Sequence, residues 1–315
     1  MRLTRLSAQI ESSDLMEAPD LAGADPATPS GASALLRAFH VTPRKRWGQN
    51  FLVDRNVLGR IAHLAELQPQ EAVLEIGAGM GGLTRCLAER ASFVTALEVD
   101  PRLEPILRQV LRPYDNVRLL MEDFLKLPTP GLLEEAFRGG KGAVVANIPY
   151  SITTPILERL LACKHRISRM VLLVQEEVAQ RLAARPSTPA YGAMSVFVQY
   201  HTQVEMLGSV PPGVFLPRPD VSSAIIRLTP IMPGAIEIPD EAGFFEVVRS
   251  AFGQRRKMLA NAVRRLIPHA DAPLVAAVFA KAELDPGRRG ETLDLQEFGR
   301  LTAAIQWARK RISGA

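Results

Sequence analysis

The run Ala72-Val73-Leu74-Glu75-Ile76-Gly77-Ala78-Gly79-Met80-Gly81-Gly82 passes from an apolar strand straight into a cluster of glycines. Glycine lets a backbone turn sharply and approach a ligand where a side chain would collide. The spacing satisfies both GxGxG and GxGxxG, because Gly81 and Gly82 are adjacent. What surrounds the loop is a repeating alternation. Strands are expected at 93–99, 117–121, 143–146 and 169–175, with helices near 82–90, 101–111, 131–137, 154–163 and 176–184. Strand–helix alternation implies right-handed βαβ units and a parallel sheet. A further helix is expected at 191–200. The stretches 203–208 and 221–228 read as adjacent strands joined by the Pro-rich turn 211–219, which points to an antiparallel edge.

A second stretch supplies the chemistry. In KGAVVANIPYSITTPIL the β-branched run ends at Asn147-Ile148-Pro149-Tyr150, where a proline stops the strand and rigidifies the turn. A polar amide and an aromatic ring are thus presented at a strand's C-terminal end, the edge where open α/β sheets bind ligands. Glu98 ends the second strand 21 residues after Gly77, placed to accept ribose hydroxyls, and Asp123 follows the third strand. Taken singly, Glu98 also reads as a strand-end surface acid and Asp123 as a turn cap. By its spacing alone the glycine loop fits a dinucleotide or an S-adenosylmethionine site equally.

Composition sets wider bounds. The 315 residues are 47% hydrophobic and 23% charged, enough for a large core and two domains. No apolar run reaches the roughly 20 residues needed to span a bilayer. Cys86 and Cys163 offer no metal spacing and read as small hydrophobes in a reducing cytosol. Residues 1–40 carry three Arg and five acids, a net of −2, so the remaining chain carries +7 of the total +5. That Ala-, Ser- and Pro-rich segment is expected to be a disordered tail, with Met16 an alternative start. At 42–52, TPRKRWGQNFL sets Arg44, Lys45 and Arg46 beside Trp47, a pairing that suits a phosphate backbone or an exposed base. From about 235 three stretches of helical period form a separate domain, whose basic residues cluster at Arg255-Arg256-Lys257 and Arg264-Arg265. The expected units are a tail (1–40), an α/β domain (41–232) and a helical RNA- or ribosome-binding domain (233–315).

NIPY is similar to the (Asn/Asp)-Pro-Pro-aromatic motif of methyltransferases that act on exocyclic base amines. Glu75, two residues before the first glycine, is common in class I methyltransferases. Beyond these, the chain closely resembles the small-subunit ribosomal RNA adenine N6,N6-dimethyltransferases. The matching stretches are Gln49-Asn50-Phe51-Leu52, EIGAGMGGLT, LEVD ending at Asp100, NIPYSITTPIL, VQEEVAQRL, YGAMSVFVQY, FLPRPDVSSAIIRL and AFGQRRKMLANAV. The resemblance implies a class I fold with a small C-terminal helical domain. It implies S-adenosylmethionine as methyl donor and S-adenosylhomocysteine as product. Cofactor contacts carry over to Asn50, Leu52, Gly77, Gly79, Glu98, Asp123 and Asn147. Base-facing positions carry over to Asn147, Ile148, Pro149 and Tyr150, with Phe215 as a second aromatic wall. The implied substrate is a pair of adjacent adenosines in a 3′-terminal hairpin loop of immature small subunits, modified in the cytoplasm by a monomer that binds no membrane. One departure falls at Arg289-Gly290-Glu291-Thr292-Leu293, where the family tends to read Arg-x-Glu-Asn-Leu. Three rivals remain: the large-subunit enzymes that confer macrolide resistance, a non-catalytic RNA-binding assembly factor, and a dinucleotide oxidoreductase.

Overall fold

Successive strand residues point to opposite faces of a sheet, and the two faces here are packed differently. In the computed structural model, which describes residues 23–44, 48–231, 238, 240–253 and 257–313, Val73, Val145 and Val171 enter one apolar cluster. Their neighbours Leu74, Val144 and Leu172 enter another. Burial on both faces is why β2 (Ala72–Ile76), β5 (Gly142–Asn147) and β6 (Ile167–Gln175) read as continuous apolar runs.

Seven strands form the main sheet. With β3 (Phe93–Leu97), β4 (Val117–Leu120), β7 (Thr202–Val210) and β9 (Ser223–Pro230), the order is β4-β3-β2-β5-β6-β9-β7. The first five are parallel, and β9 runs antiparallel to both β6 and β7. The helices α2 (Arg55–Leu64), α3 (Gly82–Ala88) and α4 (Glu104–Leu111) cover one face through Leu58, Ile61, Leu83, Leu87, Ile106 and Leu107. On the other face lie α5 (Thr129–Ala136), α6 (Thr153–Ala162), α7 (Glu176–Leu182) and α8 (Ala193–His201). Strand order reverses between β2 and β5, so a crevice opens at their C-terminal ends, the usual place for a ligand in such sheets. The class I methyltransferase architecture expected of the sequence is the one observed.

A small second sheet was not anticipated. β1 (Phe51–Leu52) pairs antiparallel with β8 (Phe215–Leu216), Phe51 opposite Leu216 and Leu52 opposite Phe215. Two-residue strands are too short to carry a period-2 signal.

The expected disordered tail needs correction over its second half. Residues 29–38 form α1 (Pro29–Ala38), with Thr28 capping it by accepting from the Gly31 N–H at 3.1 Å. Ala32, Leu35 and Leu36 recur at the spacing of one helical face and are buried in the same cluster as Leu58 and Ile61. Asp25 anchors the approach to this helix by ion pairs to Arg55 (2.5 Å) on α2 and Arg85 (2.9 Å) on α3. A bias toward Ala, Ser and Pro hid a short amphipathic helix. Residues 1–22 lie outside the described residues.

Toward the C-terminus, α9 (Glu241–Phe252), α10 (Leu259–Leu266), α11 (Ala272–Ala282) and α12 (Leu295–Ser313) enclose their own apolar cluster around Phe244, Val248, Phe279, Phe298 and Ile305. Tyr191, ahead of α8, is buried in that cluster, and its hydroxyl donates to the Leu293 carbonyl at 2.9 Å. The helical unit is therefore joined to the α/β unit by packing.

Candidate functional site

Three strand ends converge on one cleft. At the end of β2, Gly77, Gly79 and Gly81 all have positive φ (82°, 57° and 83°), a backbone region that costs an ordinary L-residue energy. A Cβ on Gly79 would stand 3.2 Å from the Phe51 ring, and one on Gly77 would stand 3.6 Å from the Asn147 carbonyl oxygen. The glycine loop and the NIPY turn are thus in contact, and the loop's path is held open by the absence of side chains. Gly77 and Ala78 both donate N–H groups to the Leu97 carbonyl at 2.9 Å, which fixes the loop against the end of β3.

Glu98 follows β3 and is 6% exposed. One carboxylate oxygen accepts the Gly79 N–H at 2.8 Å; the other accepts those of Val99 and Asp100, each at 2.9 Å. A carboxylate has about four acceptor positions, so these bonds pin the glycine loop and leave one free. Receiving two hydroxyls would require one backbone N–H to yield its place. Burial pushes the Glu98 carboxyl above the ordinary range, against the pull of the Asp100, Gly79 and Val99 amides.

Glu75, on β2, is the more unusual acid. It is 1% exposed, its Oε2 atom has no hydrogen-bond partner among the described residues, and its pKa is pushed up to about 8. Burial is the main cause; the Thr84 hydroxyl pulls the other way and the Glu98 charge adds to the rise. Buried polar atoms are normally bonded, so an orphaned carboxylate oxygen at the wall of a cleft fits a cationic ligand.

From β5, Asn147 donates through Nδ2 to the Asn50 carbonyl at 3.3 Å, which leaves its side-chain oxygen as the end available to an incoming amine. The Ile148 N–H bonds the Leu173 carbonyl at 3.1 Å and its side chain is buried, so its main chain is what it offers the cleft. Tyr150 is half-buried, with its hydroxyl 2.7 Å from that of Ser223. Asp123 accepts the Leu125 N–H at 2.9 Å, capping a short 3₁₀ turn, and lies 3.9 Å from Lys126.

Asn50, Leu52, Gly77, Gly79, Glu98, Asp123, Asn147, Ile148, Pro149 and Tyr150 all line this one cleft. Phe215 does not, which corrects its expected place as a second aromatic wall. It is 4% exposed, packed beside Leu52 in the core, and presents no free ring face. Of the basic positions, Arg44 and the exposed Lys257 are described. Lys45, Arg46, Arg255 and Arg256 lie outside the described residues.

Sequence reading missed three contributors. Pro26, assigned to the tail, lines the cleft, as do Leu58 and Leu83. Val99 also lines it and is 49% exposed, an apolar face left bare at a strand end. Gln49 donates to the buried Asp100 at 2.8 Å while its own oxygen accepts the Arg44 N–H at 2.7 Å. Arg102 completes that link by bonding both Asp100 (2.9 Å) and the Thr42 carbonyl (3.0 Å), so the basic entry segment is tied directly to the end of β3.

The orphaned Glu75 oxygen, the glycine cradle and the acids at successive strand ends fit S-adenosylmethionine, a nucleoside bearing cationic groups. Comparison with known proteins agrees. Residues 41–299 match the family model described as ribosomal RNA adenine dimethylase. The chain is 43% identical over 285 residues to a ribosomal RNA small subunit methyltransferase A of Geobacillus sp., covering 90% of this chain and 98% of that protein. It is 44% identical over 284 residues to that of Bacillus cytotoxicus, covering 89% and 97%. Among solved structures, the 23S rRNA methyltransferase ErmE is 30% identical, with a TM-score of 0.62, covering 82% of this chain and all of that one. A dimethyladenosine transferase of Plasmodium falciparum shares the fold at 22% identity, with a TM-score of 0.67, covering 81% and 96%. The chain therefore belongs to the ribosomal RNA adenine dimethylase family and is an S-adenosylmethionine-dependent methyltransferase.

Proposed function

We propose that this chain dimethylates the N6 amines of two adjacent adenosines in the 3′-terminal hairpin loop of small-subunit ribosomal RNA, acting as a cytoplasmic monomer on the immature subunit. The observation that carries the reading is the contact between two loops: the Asn147 carbonyl oxygen lies 3.6 Å from where a Gly77 side chain would begin. The main chain of Asn147, whose side-chain oxygen is the proposed amine acceptor, thus lies against the cradle proposed to receive the methyl donor. The higher identity to small-subunit methyltransferases, 43–44% against 30% for the large-subunit enzyme, favours the small subunit.

Gly77 and Gly79 would admit the cofactor's backbone-close portion, Glu98 its ribose, Asp123 its adenine amine, and Asn50 and Leu52 its remaining edge. When bound, S-adenosylmethionine supplies a methyl group made electrophilic by a positively charged sulfur. An adenine amine is a weak nucleophile because its lone pair is delocalised into the ring. The Asn147 side-chain oxygen and the Ile148 carbonyl accept its two N–H bonds. Those contacts favour a pyramidal nitrogen and stabilise its developing positive charge. Tyr150, its hydroxyl held by Ser223, offers a ring face for the extruded base. The cationic nitrogen then loses its proton to solvent, so no dedicated general base is required. Arg44, Lys45, Arg46, Arg255, Arg256 and Lys257 would contact the RNA backbone.

The test is mass spectrometry of small-subunit RNA from a strain lacking this gene, complemented with wild type or Asn147→Ala. Dimethyladenosine should return with wild type and not with the variant. Dimethyladenosine that persists in the uncomplemented strain would overturn the assignment.

A further inference from the structure

Tyr150 lines two cavities, and the functional reading uses one of them, the cofactor cleft. The other is a space of about 240 Å³ between the start of α6, the end of β6, α7 and the first turn of α8. That is several times the roughly 30 Å³ occupied by a water. Its accessible apolar lining comes from Val178 and Met194, both half-buried. The rim is polar and open: Thr154, Glu177 and Arg181 are exposed, and Gln175 stands half-buried at the end of β6. Arg181 pairs with Glu177 at 2.7 Å along one helix face, a solvent-exposed bond that a ligand can displace at little cost. Gln175, Glu177 and Arg181 all come from VQEEVAQRL, a stretch that the cofactor and the target amine leave without a task.

An apolar lining with an amide, a carboxylate and a guanidinium on its rim is suited to a nucleobase. The lining takes the ring, the amide and carboxylate read its edge, and the guanidinium meets its phosphate or stacks on its plane. The proposed substrate is a continuous strand with two adjacent adenosines. When one base enters the cleft, its covalently linked neighbour can lie no more than one nucleotide away, and Tyr150 lines both spaces. We infer that this second cavity beside Tyr150 holds the base adjacent to the adenine undergoing methylation, with Tyr150 bordering both. This rests on the functional reading above, and it adds a second base subsite that the chemistry at Asn147 does not require.

The experiment uses the full chain, unmethylated small subunits, and matched subunits reconstituted with RNA in which one of the two adenosines is abasic. Thr154→Trp fills the cavity from an exposed position of α6. Arg181→Ala removes a rim group, and cofactor affinity measured alongside reports on folding. For wild type, removing the neighbouring base should lower kcat/KM at the remaining adenosine about tenfold, the scale of one base stacked on an aromatic ring. Thr154→Trp should lower kcat/KM on intact subunits by a similar factor and add nothing on abasic ones, because the two changes remove the same contact. Should Thr154→Trp lose cofactor binding, Arg181→Ala carries the same comparison, with a loss of a few-fold on intact subunits alone. Equal losses on intact and abasic subunits, or no effect of the abasic neighbour on wild type, would overturn the subsite while leaving the methyltransferase reading intact. Failure of wild type to methylate either particle would instead strike at the function and the subsite together.

Discussion

Glu75→Gln offers a quantitative test of the site's electrostatics. Glu75 is buried with an orphaned oxygen and titrates near 8 rather than at its ordinary 4.5. Because the folded-state value is raised, the protonated form favours the fold. Its contribution is fully present below pH 4.5 and is lost as pH rises toward 8, where both states are ionised. Each pH unit in that window removes about 1.4 kcal/mol. At pH 7 the loss is about 3 kcal/mol, and it levels off near 5 kcal/mol above pH 8. Glutamine has the shape of the protonated acid and does not titrate, so its own cost of burial is constant with pH. The stability difference between Glu75→Gln and wild type should therefore grow in the variant's favour by about 1 kcal/mol per unit, averaged from pH 5 to pH 8. Urea denaturation of both proteins at four pH values, without cofactor, measures it. Parallel pH profiles would refute the reasoning, since they would mean that Glu75 is ionised and satisfied in the fold.

Other outcomes follow from the same geometry. Asn147→Ala should reduce methylation by at least about a thousandfold while weakening cofactor binding by less than tenfold, because it removes an acceptor for transition-state charge; near-normal turnover would sink the amine contact. Glu98→Gln turns one acceptor oxygen into a donor that faces either the Gly79 N–H or those of Val99 and Asp100. Calorimetry should show S-adenosylmethionine affinity reduced about tenfold or more, and unchanged affinity removes Glu98 from the site. Asp25→Ala deletes the ion pairs to Arg55 and Arg85 and the bond from the Ala27 N–H, and should cost about 2 kcal/mol in denaturation. Burial raises the Asp25 pKa, but the Ala27 amide and the two arginines outweigh it, so this contribution holds above pH 4 and disappears as pH falls further. Replacing Arg255, Arg256 and Lys257 with Ala should weaken binding to subunits and flatten its salt dependence, read from binding isotherms between 50 and 200 mM salt; an unchanged slope would make the cluster a solvated face.

Legibility in the sequence tracked the length over which a signal could accumulate. The sheet was readable because apolar residues (Ala, Val, Leu and Met) fill runs such as 143–146 and 170–174, the pattern of a strand buried on both faces. Strand ends then placed Gly77, Glu98, Asp123 and Asn147 in one crevice without knowledge of a single contact. Two kinds of feature escaped. One is pairing between distant short segments: nothing in Phe51-Leu52 or Phe215-Leu216 announces the other, yet their pairing buries Phe215 and takes it out of the cleft. The other is a local pattern masked by composition. Ala32, Leu35 and Leu36 are spaced for a helix, but three apolar residues among Ala, Ser and Pro do not outweigh the bias toward disorder.

Glu75 shows how a residue marked in sequence by its place before the glycine loop can still hide its energetic cost. Within AVLEI it sits on a fully buried strand, where pattern reading expects an apolar side chain. Its cost becomes visible only in three dimensions, through the lack of a partner for Oε2 and the proximity of Glu98. A second buried acid beside the first compounds that cost rather than relieving it. Selection for stability alone would replace Glu75. Two acids held above their ordinary titration range at one cleft make sense when the occupant brings positive charge: binding then ionises Glu75 and recovers free energy that the empty fold forgoes. On that argument cofactor affinity rises from pH 6 to pH 8 in wild type and loses that dependence in Glu75→Gln. A flat affinity profile in wild type over that range would remove Glu75 from cofactor recognition.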